Sequence, residues 1–137
     1  MEAQLVPQSS AQLTPSDFPS VIEAGIAYAR NDYVTAVRIL RGPADNGRAV
    51  AQLCLGILYS NGHGVEKSYT EAAKWYHLAA NQELVQDHGL EKSYVAAAKW
   101  SRLAANQELA RVEQHMTPAQ IAEAQKLARE WKPTSER

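Results

Sequence analysis

The sequence predicts an all-α protein assembled from helical repeats, for three reasons. First, the chain contains a near-duplicate of itself. Residues 63–84 read HGVEKSYTEAAKWYHLAANQEL and residues 88–109 read HGLEKSYVAAAKWSRLAANQEL, identical at 17 of 22 positions at an offset of 25. Self-similarity on this scale marks units that each form one supersecondary element and bury their apolar face only by stacking on the next. Second, apolar residues recur at i, i+3, i+4 and i+7, punctuated by helix caps and stops. Third, strand signals are absent: there is no sustained alternation and no hairpin dipeptide between β-branched runs.

The elements follow in order. Residues 1–19 read as a flexible tail rich in Pro, Ser and Gln. Ser20 and Glu23 form a capping box ahead of Ile22, Ile26 and Ala29. Asn31-Asp32 breaks that helix, Tyr33, Val37 and Leu40 begin another, and Gly42-Pro43 ends or kinks it. In GRAVAQLCLGILYSNG, residues 47–62, the stripe Ala51, Leu55, Leu58 and Tyr59 ends at Asn61-Gly62, a left-handed stop. Ser68 and Glu71 form a second capping box before Tyr69, Ala72, Ala73, Tyr76, Ala79 and Ala80. Four alanines on one face admit a close neighbour, and Trp75 and Tyr76 fill the remaining volume. The second copy has Ala96 in place of Glu71 and Ser101 in place of Tyr76. It loses the box and is expected to pack less firmly. Thr117-Pro118-Ala119-Gln120 is a third box, with proline at the first helical position. Its helix presents Ile121, Ala124, Leu127, Ala128 and Trp131 and stops before Pro133. Residues 132–137 are a short C-terminal tail.

Composition narrows the function classes. The 137 residues suit one domain, 20–131, with a real core. Fourteen basic against fifteen acidic residues give a net charge of −1, with no basic stripe to displace counterions from a nucleic acid. The same balance gives no attraction to an anionic membrane, and no apolar run approaches the roughly 20 residues of a membrane span. Cys54 is the only cysteine, so no intrachain disulfide forms. Met1–Ser20 lacks the basic start and apolar centre of a secretory signal. The expected compartment is the cytoplasm, or the periplasm or exterior if a leader has been removed.

A search for chemistry yields little. His63 and His88 occupy equivalent repeat loops, where a shared metal site competes with duplicated polar loop residues; the latter is preferred, because carboxylate and second-shell partners are not evident. No H-E-x-x-H or C-x-x-C motif occurs, and Gly62-His63-Gly64 follows a helix rather than the strand a phosphate loop requires. Cys54 is expected as a buried structural thiol. Glu66/Lys67 and Glu91/Lys92 are expected as solvated loop charges. Trp75 and Trp100, at helical spacing inside alanine-rich faces, are expected in the core. No metal, cofactor or catalytic residue is expected.

Gly47, Ala49, Ala51, Gln52, Leu55, Gly56, Tyr59, Gly62, Gly64, Val65, Tyr69, Ala72, Trp75, Tyr76, Ala79 and Ala80 together resemble the repeat pattern of the Sel1-like family, bacterial relatives of tetratricopeptide repeats. The resemblance implies two antiparallel helices in about 36 residues per unit, stacked into a short right-handed α-solenoid of six or seven helices. AYARNDYVTAVRILR resembles the divergent pair that opens such arrays, and TPAQIAEAQKLAREW their closing helix. The implied role is a non-catalytic scaffold or adaptor holding a protein or peptide in a groove formed mainly by the first helix of each unit. Tyr28, Gln52, Tyr59 and His63 are the candidate partner-binding residues on or beside that face, with Gln52 and Tyr59 equally readable as structural family positions. Some secreted, cysteine-rich members are linked to penicillin binding, but this chain has one cysteine and no S-x-x-K tetrad.

Two departures from the pattern bear on architecture. The copies stand 25 residues apart, so the second unit lacks its first helix: one repeat is complete and one truncated. Glu83 and Glu108 replace the glycine that ends the second helix, and glutamate is a helix former. The helix beginning near Ser68 is therefore expected to run to about Gln86, and the one near Ser93 toward Gln114. The truncation is expected to remove one wall of the groove and expose an apolar flank near residues 84–92. An alternative function follows: a self-associating module, such as a homodimer, whose missing helix comes from another copy.

Overall fold

Six helices are present in the computed structural model, which describes residues 17–81 and 92–134: α1 (Asp17–Ala29), α2 (Tyr33–Asp45), α3 (Ala49–Asn61), α4 (Tyr69–Ala80), α5 (Lys92–Glu113) and α6 (Pro118–Glu130). Among the described residues there is no strand. The first 16 residues of the expected tail and the expected flank at residues 84–91 lie outside the described residues.

The stops and caps explain where most elements begin and end. Asn31 takes a left-handed φ of 62°, reversing the chain between α1 and α2. Asp32 then caps α2 by accepting from the Thr35 N–H at 3.4 Å. Gly62, at φ 69°, closes α3, and the His63 N–H returns to the Leu58 carbonyl. Thr117 and Gln120 satisfy each other's backbone N–H at 3.1 and 2.9 Å, with Pro118 at the first position of α6.

Four expectations change. Helix α1 begins at Asp17, so Ser20 lies inside it and cannot be its cap, and residues 17–19 belong to the helix rather than to a tail. Pro19 sits in the first turn, where a missing N–H costs nothing. Helix α2 runs through Gly42-Pro43 to Asp45. Ser68 caps α4 by accepting from the Glu71 N–H at 3.0 Å, but the Glu71 carboxylate turns to Lys74 Nζ at 3.1 Å. Helix α4 ends at Ala80 with Asn81 as its C-cap instead of continuing to Gln86, whereas α5 runs past Glu108 as expected.

Packing places α4 at the centre of the molecule. It contacts α3, α5 and α6, and α5 also reaches α3, while α2 joins α1 to α3. One core gathers Leu40 and Ala44 of α2 and Ala51, Leu55 and Leu58 of α3 around Trp75. A second gathers Ala72, Ala73 and Tyr76 of α4 with Val112 of α5 and Ala124 of α6. Gly56 is required there: a Cβ at that position would lie 2.5 Å from the Tyr76 ring, so the absence of a side chain lets the ring press against the α3 backbone.

These contacts correct the expectation of a lost wall. Helix α5 has the sequence of a second helix, yet it lies where the next unit's first helix would lie, against both α3 and α4. Helix α6 takes the following place against α4. Helices α1 and α2 pair, α3 and α4 pair, and α5 and α6 both pack on α4, in a short helical solenoid. The C-terminal residues fold back on the stack. The Trp131 and Trp75 rings meet edge to face at 6.5 Å, and the Thr134 hydroxyl donates to the Asp45 carbonyl at 3.2 Å.

Candidate functional site

An open apolar groove of about 330 Å³ runs between α1 and α3, with α2 as its floor. Val21, Gly25 and Tyr28 of α1 form one wall, Cys54 and Ile57 of α3 the other, and Ala36 and Leu40 of α2 the base. The wall residues of α1 follow helical spacing, so one stripe faces the groove while Ala24 and Ala27 pack toward α2. Nothing lies within 4 Å of a Cβ built on Gly25. The intramolecular packing therefore does not require glycine there, although glycine costs a helix interior about 1 kcal/mol relative to alanine.

Polar and aromatic groups close one end of the groove. The Tyr28 hydroxyl lies 3.1 Å from His63 Nδ1, the Tyr33 ring stacks on His63 at 4.2 Å and 7°, and Tyr28 meets Tyr33 edge-on at 5.0 Å. When the imidazole carries its proton on Nε2, the Tyr28 phenol donates to Nδ1. The loop that bears His63 is held against the α1–α2 turn by close backbone approach. Gly64 adopts φ 81°, and a Cβ there would strike the Tyr33 carbonyl oxygen at 2.6 Å. The rim residues are thereby fixed relative to the groove wall.

The four candidate residues divide into two pairs. Tyr28 and His63 come together at the groove end. Gln52 is fully buried and its Nε2 donates to the Ala44 carbonyl at 3.2 Å, tying α3 to the end of α2. Tyr59 is half-buried; its hydroxyl accepts from Arg41 at 3.4 Å and its carbonyl accepts from the Ser68 N–H. Gln52 and Tyr59 are thus supports of the fold, and they do not line the groove. The groove residues Val21, Gly25, Cys54 and Ile57 were missed by sequence reasoning; Gly25 inside an otherwise helical run is the signal that could have found them.

Titratable groups near the core are tuned by burial. The Cys54 thiol is half-buried and desolvation raises its pKa, so it stays protonated and weakly nucleophilic. Burial pushes the Tyr76 phenol up to about 12, with the Ser60 hydroxyl at 3.4 Å opposing the shift. Burial lowers the pKa of His77, and Glu113, with its carboxylate 3.9 Å away, opposes that in part. Among the described residues no group of three or more His, Cys, Asp and Glu side chains could hold a metal ion. Among those residues, too, no helix is long and apolar enough to cross a membrane.

Trp75 and Trp100 separate sharply. Trp75 is 3% exposed, whereas Trp100, expected in the core, is 69% exposed together with Leu103 at 51%. Helix α5 buries Ser101, Ala105 and Val112 instead. Its counterpart of the Trp75 face is turned to solvent.

Stacked helix pairs with duplicated sequence define a helical-repeat protein. Residues 49–84 and 86–109 match the Sel1 repeat family, so this part of the chain carries Sel1-like repeats. The first match spans 36 residues (49 to 84) and the second only 24 (86 to 109), the shortfall of a missing helix. No curated protein and no solved structure matches the chain. Sel1 repeats generally mediate protein–protein interaction and are generally non-catalytic.

Proposed function

We propose that the chain is a non-catalytic adaptor that holds a segment of a partner protein in the groove between α1 and α3. The observation that carries this reading is the groove itself, open, apolar and walled on both sides by helices, with a hydrogen-bonding tyrosine and histidine at one end. Its size suits one or two aliphatic side chains of a docked segment, and Tyr28 with His63 can orient the adjoining backbone or a polar residue. The protonated Cys54 thiol and the pairing of His63 with a phenol support binding rather than covalent chemistry. Tyr28 and His63 are retained as contact residues; Gln52 and Tyr59 act indirectly, by holding α3 in place.

Selection of peptides from a random display library on the full chain tests the reading. Gly25→Leu fills the groove from an open helical position and leaves the fold intact, because glycine-to-leucine improves helix propensity. Enriched peptides are expected to carry paired aliphatic residues and to lose at least about tenfold in affinity on Gly25→Leu, equivalent to about 1.4 kcal/mol. Lys126→Glu on the outer face of α6 should leave binding unchanged. Failure to enrich any peptide, or equal binding to Gly25→Leu, overturns the proposal.

A further inference from the structure

Two exposed apolar faces remain outside the groove, one at each end of the stack. On α1, Ile22 and Ile26 are 60% and 48% exposed on the side turned away from α2 and from the groove. On α5, Trp100 and Leu103 face away from α3 and α4. Each is thus the side on which a further helix of the stack would lie, because a repeat buries its apolar face only against the next unit.

The charges beside the two faces are complementary. Exposed Glu23 adjoins Ile22, and exposed Lys99 adjoins Trp100. Neither has an opposite charge three or four positions away on its own helix: Pro19, Ser20, Ile26 and Ala27 flank Glu23, and Val95, Ala96, Arg102 and Leu103 flank Lys99. In α4 the equivalent lysine, Lys74, pairs with Glu71, the position that is Ala96 in α5. The substitution therefore leaves a lysine beside an exposed tryptophan with no acid three or four positions away on its own helix.

We infer that the chain associates head to tail with itself, the Ile22/Ile26 face of one copy docking on the Trp100/Leu103 face of the next with Glu23 against Lys99. The solenoid then continues from copy to copy. The contact is heterologous, so it forms chains or a ring rather than a two-fold dimer. Burial of the tryptophan and isoleucines supplies the attraction, and the charge pair selects the register and opposes like-to-like contact of either face. This inference stands independently of the groove reading, since it uses neither groove wall.

Sedimentation velocity over a dilution series of the full chain tests it. The wild type should show mass increasing with concentration, while Trp100→Glu and Ile26→Glu, both at exposed positions, should each be folded by circular dichroism and monomeric. Each variant keeps one intact face, and these two faces are complementary. An equimolar mixture should therefore form a 1:1 heterodimer and nothing larger. Glu23→Lys should weaken wild-type association about tenfold, with Lys99→Glu in the same chain restoring it. A wild type that is monomeric throughout, a mixture that stays monomeric, or a single variant that still associates through its remaining face would each overturn the inference.

Discussion

Trp75 and Trp100 follow the same three residues, Ala-Ala-Lys, 25 positions apart, yet one is buried against α3 and the other faces solvent. Their helices differ in which side is buried. Helix α4 uses all of its apolar surface: Trp75 and Leu78 join the core with α2 and α3, and Ala72, Ala73 and Tyr76 join the core with α5 and α6. Helix α5 uses one side, where serine replaces tyrosine at 101 and alanine remains at 105, and it extends that side with Val112. A small side chain at 101 lets the α5 backbone approach its neighbours, whereas a second tyrosine would hold it away. A duplicated helix thus inherits two apolar faces, and its neighbours decide which is covered.

The largest consequence of that difference is energetic. Trp75→Ala should cost about 3–5 kcal/mol in unfolding free energy, because it opens a cavity at the junction of α2, α3 and α4. Trp100→Ala should change stability by less than about 0.5 kcal/mol. Chemical denaturation of the two variants in parallel checks the contrast, and equal losses would show that α5 is packed as α4 is.

A smaller effect isolates the Gly56–Tyr76 contact. Gly56→Ala should cost about 1–3 kcal/mol through overpacking against the ring. In a Tyr76→Ser background, which copies the residue at 101, the penalty of Gly56→Ala should largely vanish. A double-mutant cycle measures that coupling, and additive losses would mean that the ring is not what excludes a Cβ.

The smallest effect concerns pH. His77 has a lowered pKa in the fold, so the native state keeps it neutral while the unfolded chain takes up a proton near its ordinary value of 6.5. Its contribution to stability is complete above pH 6.5 and is lost as the pH falls below that value. Thermal melts should therefore show a midpoint that declines on acidification, with a shallower decline in His77→Gln. The counterpart, Arg102, donates to the Ala80 carbonyl at 3.4 Å and has no imidazole, so Arg102→Gln should leave the slope unaltered.

Several local signals in the sequence were sufficient, although the Ser20 box and the Gly42-Pro43 stop were not. Asn31, Gly62 and Thr117 mark helix ends because left-handed backbone and side-chain capping depend on residues within one turn. The extension of α5 beyond Glu108 followed from the same kind of reasoning. The segment Ala-Ala-Asn-Gln-Glu-Leu nevertheless begins a helix stop in α4 and passes as helix in α5, because in α5 it leads to Val112, which is buried against Tyr76 and Ala124. Tertiary burial decided between identical words. Tyr28 and His63 were each named from the sequence, but not as a pair; the structural reading of Gln52 was open there too, and its partner, the Ala44 carbonyl, becomes visible only once α2 continues through Pro43. The groove lining was illegible for the same reason, since it is made by three helices and belongs to none of them.

The seat taken by α5 changes what a missing helix means for an array of this kind. A helix with the sequence of a second helix occupies a first helix's place against α3 and α4, with serine at 101 where α4 has Tyr76. Insertions and deletions in such arrays need not come in whole units, so the tally of motif matches along a chain can differ from the number of places its helices fill.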